Sequence, residues 1–172
     1  RSPMTRFLSR MEASEVAEQI TEAVERLSRT GIGAIVAVEG DVPLVDYIHS
    51  GSEMRAKVSA DLMATIFTPY SPLHDGAVIV RGDDIVAAGC ILPLSQASEL
   101  DRSLGTRHRA ALGLSEESDA VVIVVSEETA TISAAVQGSL WRNLSWSQVR
   151  EVLAGELPRQ LAEGRARAGA GA

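Results

Sequence analysis

The chain has 172 residues, of which 45% are hydrophobic and 23% charged, which suits one domain with a buried core and excludes wholesale disorder. Its formal charge of −7, from 16 basic and 23 acidic residues, opposes binding of a nucleic acid polymer through its phosphates, and an aromatic content of 3% leaves no stacking platform for single strands. The lone cysteine, Cys90, excludes an internal disulfide and a cysteine-cluster zinc site, and its uncharged surroundings read as core.

Arg1-Ser2-Pro3 ahead of Met4 reads as a remnant of cloning, and residues 1–10 as a lead-in to the domain. A helix is predicted from Ser9 to Arg29. Val16, Ile20, Val24 and Leu27 share one face, while Glu12, Glu15, Glu18, Glu22 and Glu25 occupy the rest. Ser9 and Glu12 have capping-box spacing, and Gly31 closes the other end. Ile32 to Val38 is a β-branched run that reads as a buried strand, and Leu44 to Ile48 is a candidate second strand. Ser59 caps a short helix that runs to Phe67. Thr68-Pro69-Tyr70-Ser71-Pro72 then forms a rigid loop, because two prolines in four residues fit neither a helix nor a central strand.

Ala77 to Arg81 and Ile85 to Leu92 are predicted strands joined by a hairpin turn at Gly82-Asp83-Asp84. Ser95 to Ser103 is polar loop, and Leu104 to Leu114 becomes helical in its later part, with Thr106 a candidate N-cap. Ala120 to Val125 is the most apolar strand, Thr131 to Val136 is another, and Ser145 to Leu157 is an amphipathic helix with Ser145 and Gln148 at capping-box spacing. Residues 158–172 are an Ala/Gly/Arg-rich tail. The fold class is α/β, a single domain over 11–157 with a central mixed β-sheet flanked by helices. No stretch of about eighteen uncharged apolar residues occurs, so no membrane span or signal peptide is predicted and a cytoplasmic location is the default.

Three polar segments sit at the ends of apolar elements, where ligands gather in open α/β sheets. In His74-Asp75-Gly76-Ala77, a carboxylate followed by glycine suits a metal or sugar hydroxyl with close backbone approach; a turn aspartate bonded to local amides is the plain alternative. In Thr106-Arg107-His108-Arg109, two guanidiniums at a helix start make an anion site, because amide donors, dipole and bidentate forks converge there. The alternative is a solvated helix start paired with Glu99 and Asp101. In Ser126-Glu127-Glu128-Thr129, paired glutamates either face water or capture a metal or an arginine beside a phosphate-binding serine. Walker A, Gly-x-Gly-x-x-Gly, His-Glu-x-x-His and Gly-x-Ser-x-Gly patterns are all missing from the sequence. Phosphate would therefore have to be held by arginine and backbone, not by a lysine loop; Lys57 is the only lysine.

Asp75-Gly76-Ala77 and Arg107-His108-Arg109 resemble the two signatures of the diadenylate cyclase (DAC) domain. The strings Phe67-Thr68-Pro69, Ser71-Pro72-Leu73-His74-Asp75-Gly76-Ala77, Leu92-Pro93-Leu94-Ser95, Gly105-Thr106-Arg107-His108-Arg109-Ala110-Ala111 and Val125-Ser126-Glu127-Glu128-Thr129 resemble its CdaA-type branch in order and spacing, over roughly Met11 to Leu157. The resemblance implies condensation of two ATP into cyclic di-AMP and two pyrophosphates with Mn²⁺, Mg²⁺ or Co²⁺. It implies that Asp75 activates the ribose 3′-hydroxyl near a metal that His74 also binds, that Gly76 lets backbone approach, and that Ala77 completes this catalytic signature. Thr106, Arg107, His108 and Arg109 would hold the triphosphate, Ser126 would contact phosphate, and Glu128 would support the metal or an arginine. Leu92 matches an adenine-packing position, with Ile91 where an aromatic is frequent. One site holds one ATP, so two reciprocal attacks call for a face-to-face homodimer. The resemblance further implies a CdaR-type regulator and phosphoglucosamine mutase as partners, and a parent protein anchored to the membrane by helices upstream of a cytoplasmic domain. A catalytically silent nucleotide-binding sensor of the same fold is the alternative; intact signatures favour the enzyme.

Overall fold

Strands buried on both faces need apolar side chains on both, and the β-branched runs of this chain supply them. The computed structural model describes residues 3–97 and 104–156, with side chains from Ala13 onward. In chain order the elements are α1 (Pro3–Arg29), β1 (Ala34–Val38), α2 (Val45–Ser50), β2 (Ser52–Lys57), α3 (Ala60–Phe67), β3 (Ala77–Arg81), β4 (Asp84–Cys90), α4 (Thr106–Glu117), β5 (Val121–Val125), β6 (Ile132–Val136), β7 (Ser139–Trp141) and α5 (Trp146–Leu153). Among the described residues the strands form one seven-stranded sheet in the order β2-β4-β3-β1-β5-β6-β7. Only β1 and β3 pair parallel, and every other pair is antiparallel. The mixed α/β sheet flanked by helices is thus as predicted.

The pleat splits the core in two. On one face Ala34, Val36, Val78, Val80, Ile123 and Val125 pack with Val24 and Leu27 of α1, Met63 and Phe67 of α3 and Val149 of α5. On the other, Ile35, Ala37, Ile79, Val122 and Val124 meet Ile48 of α2 and Ala111 and Leu114 of α4. Cys90 belongs to this second core, and burial pushes its thiol up to about 11, which leaves it protonated at neutral pH.

Local signals explain the element ends. At the end of α1, Ile32 N–H donates to Leu27 O (2.9 Å) and Gly31 N–H to Ser28 O (3.2 Å), a Schellman closure. Ser59 Oγ accepts from Leu62 N–H (3.1 Å), and Ser145 forms the predicted capping box with Gln148.

Three expectations are corrected, and an edge strand was not foreseen. Helix α1 starts at Pro3, so Ser9 is interior and not a cap; proline is favoured in the first helical turn, where its missing N–H has no partner to lose. The predicted strand at Leu44–Ile48 is the start of α2: Leu44 and Ile48, four apart, both turn into the core, whereas Val45 is exposed. Strand β2 was unforeseen because it lies at the sheet edge and is mostly polar. The cap of α4 is Gly105, with Thr106 its first residue. The predicted loop residues Glu99 and Asp101, and the tail from residue 158, lie outside the described residues.

At the sheet end where β1 and β3 finish, Glu39 is nearly buried. It accepts from Arg81 Nε (2.7 Å) and Nη2 (3.0 Å) and from Leu44 N–H (2.9 Å). The Arg81 bonds, before all else, hold its carboxyl below the ordinary range. A lowered folded pKa means stabilisation that is present above the unfolded pKa of about 4.5 and is lost as pH falls through the folded value. Glu39→Gln is therefore expected to lower stability at pH 7 by about 1 kcal/mol, discounted because Arg81 is half exposed. In urea melts the gap between the two proteins should close below about pH 4; a constant gap across pH would contradict it.

Candidate active site

The opposite end of the sheet collects the polar segments. Pairing of Ala34 with Val125, Ala77 with Cys90, Val125 with Ile132 and Ala134 with Trp141 brings together the starts of β1, β3 and β6 and the ends of β4, β5 and β7. Asp75-Gly76 precede β3, Ile91-Leu92 follow β4, Ser126 to Thr129 follow β5, and Arg142 follows β7. Helix α4 points its N-terminus, Thr106 and Arg107, at the same edge.

Two cavities open there. One, of about 340 Å³, is mainly apolar and is lined by Ile35, Gly76, Cys90, Ile91, Leu92, Leu94 and Ala110, together with Asp75, Thr106 and Arg107. The other, of about 430 Å³, is polar and is lined by Asp75, Thr106, Arg107, His108, Ser126, Glu127, Glu128 and Arg142, among others. Asp75, Thr106 and Arg107 line both, so they form the shared wall.

The exposed Asp75 is carried by a loop whose turns are fixed by Ser71 N–H to Thr68 O (3.0 Å) and His74 N–H to Ser71 O (3.2 Å). His74 Nδ1 lies 2.7 Å from Ser71 O, and because a carbonyl only accepts, Nδ1 is the donor. His74 lines neither cavity, although it adjoins Asp75. Gly76 has φ +106°, and a Cβ there would stand 2.7 Å from Gly89 C and 2.8 Å from Cys90 O. Its backbone thus packs closely on β4. Ala77 is fully buried as the first residue of β3.

Arg107 Nη1 donates to Glu127 Oε2 at 2.7 Å, and the pair lies on Gly33, where a Cβ would be 2.6 Å from both Arg107 Cζ and Glu127 Oε2. A side chain at this position would push the pair off that seat. Arg109 turns away: its Nε donates to Leu104 O (3.3 Å), its own carbonyl accepts from Ser95 N–H (2.9 Å), and it lines neither cavity. The two guanidiniums diverge, as their i, i+2 spacing dictates.

His108 is 7% exposed, and among the described residues its Nε2 has no hydrogen-bond partner. Burial first, then the charge of Arg142, hold its pKa below the ordinary value; Arg107 adds to this, and Glu127 and Glu128 oppose it. The imidazole is neutral at pH 7. Buried Ser126 accepts from Thr129 N–H at its Oγ (3.3 Å), which leaves its hydroxyl proton to donate to an anion. Sequence reasoning missed Gly33 and Arg142; it offered the paired glutamates as partners of an arginine without saying which, and the pair is Glu127 with Arg107. Glu127 lay inside a recognised string, whereas Gly33 and Arg142 carry no motif.

Comparison with known proteins bears on this arrangement. A family model described as DAC, DisA bacterial checkpoint controller nucleotide-binding, matches residues 21–140. "Cyclic di-AMP synthase CdaA" of Bacillus subtilis is 45% identical over 142 residues, covering 83% of this chain and 52% of that protein. A "Diadenylate cyclase" of Listeria monocytogenes serotype 1/2a is 44% identical over 155 residues, covering 89% of this chain and 57% of that one. The chain spans little more than half the length of these curated relatives. The crystal structure of a double mutant of DacA from Staphylococcus aureus matches with TM-score 0.80 and 42% identity, over 83% of this chain and 95% of that chain. A structure described as a hypothetical membrane spanning protein from Bacillus cereus matches with TM-score 0.74 and 46% identity, over 76% and 64%.

Proposed function

The chain belongs to the DAC family, and from that membership we propose that it is a catalytic domain that condenses two ATP into cyclic di-AMP and two pyrophosphates. One observation carries the reading: an apolar cavity and a polar cavity share a wall made of Asp75, Thr106 and Arg107. Adenine suits the first, packed by Leu92 and Ile91, and the triphosphate suits the second. The ribose and the α-phosphate then fall at the shared wall, where Asp75 can take the proton of an attacking 3′-hydroxyl. Each attack forms a 3′-O–P bond and breaks the bond from the α-phosphorus to the bridging oxygen of pyrophosphate, whose charge Arg107 and the amides at the start of α4 offset.

The donors fit a divalent cation. Asp75, Glu127 and Glu128 put three carboxylates against two guanidiniums in the polar cavity, one net negative charge with His108 neutral. Bare ATP would be repelled, and its complex with Mn²⁺, Mg²⁺ or Co²⁺ much less so. Among the described residues no three His, Cys, Asp or Glu side chains gather closely enough to hold a metal alone, so phosphate oxygens and water would complete the shell. Asp75 and Glu128 would hold it, with His74 the adjacent nitrogen donor. Bound there, the cation would neutralise phosphate charge and polarise the α-phosphorus.

Two attacks on two α-phosphates call for two such sites face to face in a homodimer. A membrane-anchored parent belongs to the same proposal, supported by the length of the relatives and the description of the Bacillus cereus neighbour; a CdaR-type regulator and phosphoglucosamine mutase enter it on the family resemblance alone. Among the described residues no helix is long and apolar enough to cross a membrane. Incubation with ATP and Mn²⁺ should yield cyclic di-AMP by mass spectrometry, at a rate per mole of protein that rises with concentration in the dilute range. No product with any of the three metals would overturn the enzyme reading; a constant specific rate from a proven monomer would overturn the dimer.

A further inference from the structure

Resting on that reading, we propose that Arg142 is the second guanidinium of the polyphosphate subsite, the place its motif would give to Arg109. Arg142 lines the polar cavity beside Arg107, His108 and Ser126, whereas Arg109 lines neither cavity and spends its Nε on Leu104 O. The backbone on both sides of Arg142 is fixed. Trp141 ahead of it is buried and pairs with Ala134, and Leu144 N–H donates to Ile132 O at 2.8 Å. Between them Asn143 takes φ +60°, a conformation asparagine tolerates better than most residues. A long, exposed side chain on so short and pinned a turn reaches the cavity with little backbone freedom to lose on binding.

The surroundings point to an anion. His108, more than nine-tenths buried, lines the same cavity, and its Nε2 has no partner among the described residues. Arg142 is, after burial, the strongest influence holding that imidazole neutral, ahead of the adjacent Arg107. Arg107 is already matched by Glu127 at 2.7 Å. A polyphosphate entering this cavity therefore meets two guanidiniums, Arg107 from the start of α4 and Arg142 from the end of β7. A planar fork there can take two phosphate oxygens at once, which an ammonium cannot.

The test is titration calorimetry with inorganic pyrophosphate, ATP and adenosine, each with Mn²⁺. Arg142→Gln should weaken pyrophosphate and ATP by about ten- to a hundredfold, the worth of one charged bidentate contact, with adenosine unchanged. Arg142→Lys should fall between the two, and Arg55→Gln, an equal charge loss on the edge strand β2, should change nothing. Unaltered pyrophosphate and ATP binding by Arg142→Gln overturns the assignment, as does an equal loss for adenosine accompanied by a lower melting temperature. If pyrophosphate binding depends on Arg142 but no cyclic di-AMP forms, the subsite stands and the enzyme reading fails.

Discussion

Asp75→Asn should reduce cyclic di-AMP formation by about a thousandfold or more while the melting temperature stays within about 2 °C of the unmodified protein. The substitution is nearly isosteric, and the side chain is exposed at the mouth of both cavities, so the fold loses nothing. Chemistry loses much: an amide neither accepts the 3′-hydroxyl proton nor gives a cation a full negative charge. Single-turnover assays with saturating ATP and Mn²⁺ separate this from weaker binding, because the step rate and not the affinity should fall. Near-normal turnover would remove Asp75 from its role and leave it a turn residue.

Gly113→Ala should destabilise the domain by about 3 kcal/mol, seen as a fall of roughly 6–12 °C in melting temperature. Helix propensity alone argues the other way, since alanine is better than glycine inside a helix by about 1 kcal/mol. Space decides. A Cβ at Gly113 would stand 1.8 Å from Pro93 O, 2.6 Å from Pro93 C and 2.9 Å from Ser95 N, all backbone atoms that cannot rotate aside. The segment is also tied to α4 by Ser95 N–H to Arg109 O (2.9 Å) and by the Ser95 hydroxyl to Glu116. Since Leu92 and Leu94 flank this strap and Thr106 and Arg107 begin the helix it grips, the same substitution should raise the KM for ATP. Unchanged or higher stability would show that α4 can slide.

The central strands were legible because burial on both faces demands unbroken apolar runs, and Ala34–Val38, Ala77–Arg81 and Val121–Val125 answer that demand. Capped helices were legible for a local reason, visible in Ser59 and in Ser145 with Gln148. Edge elements were not. Ser52–Lys57 owes its strand to hydrogen bonds with β4, a partner that its own composition does not announce, and Ser139–Trp141 is too short to show a period. The apolar stretch at Leu44–Ile48 fits helix or strand equally until packing selects one. In the site, the motif-bearing residues Asp75, Thr106 and Arg107 do converge. Gly33, Glu127 and Arg142 act through neighbours far along the chain, and such pairings are set by topology, not by spacing.

The seat of the Arg107–Glu127 pair on Gly33 ties the site to the order in which the protein can come apart. Gly33 leads into β1, Glu127 leaves β5, and these two strands meet in antiparallel register with Ala34 opposite Val125. Arg107 comes from a helix on a third stretch of chain. A sub-globular unit lacking any one of these would lose this seat for the guanidinium. Opening at the end of β5 would unseat Arg107 while the rest of the sheet stayed paired.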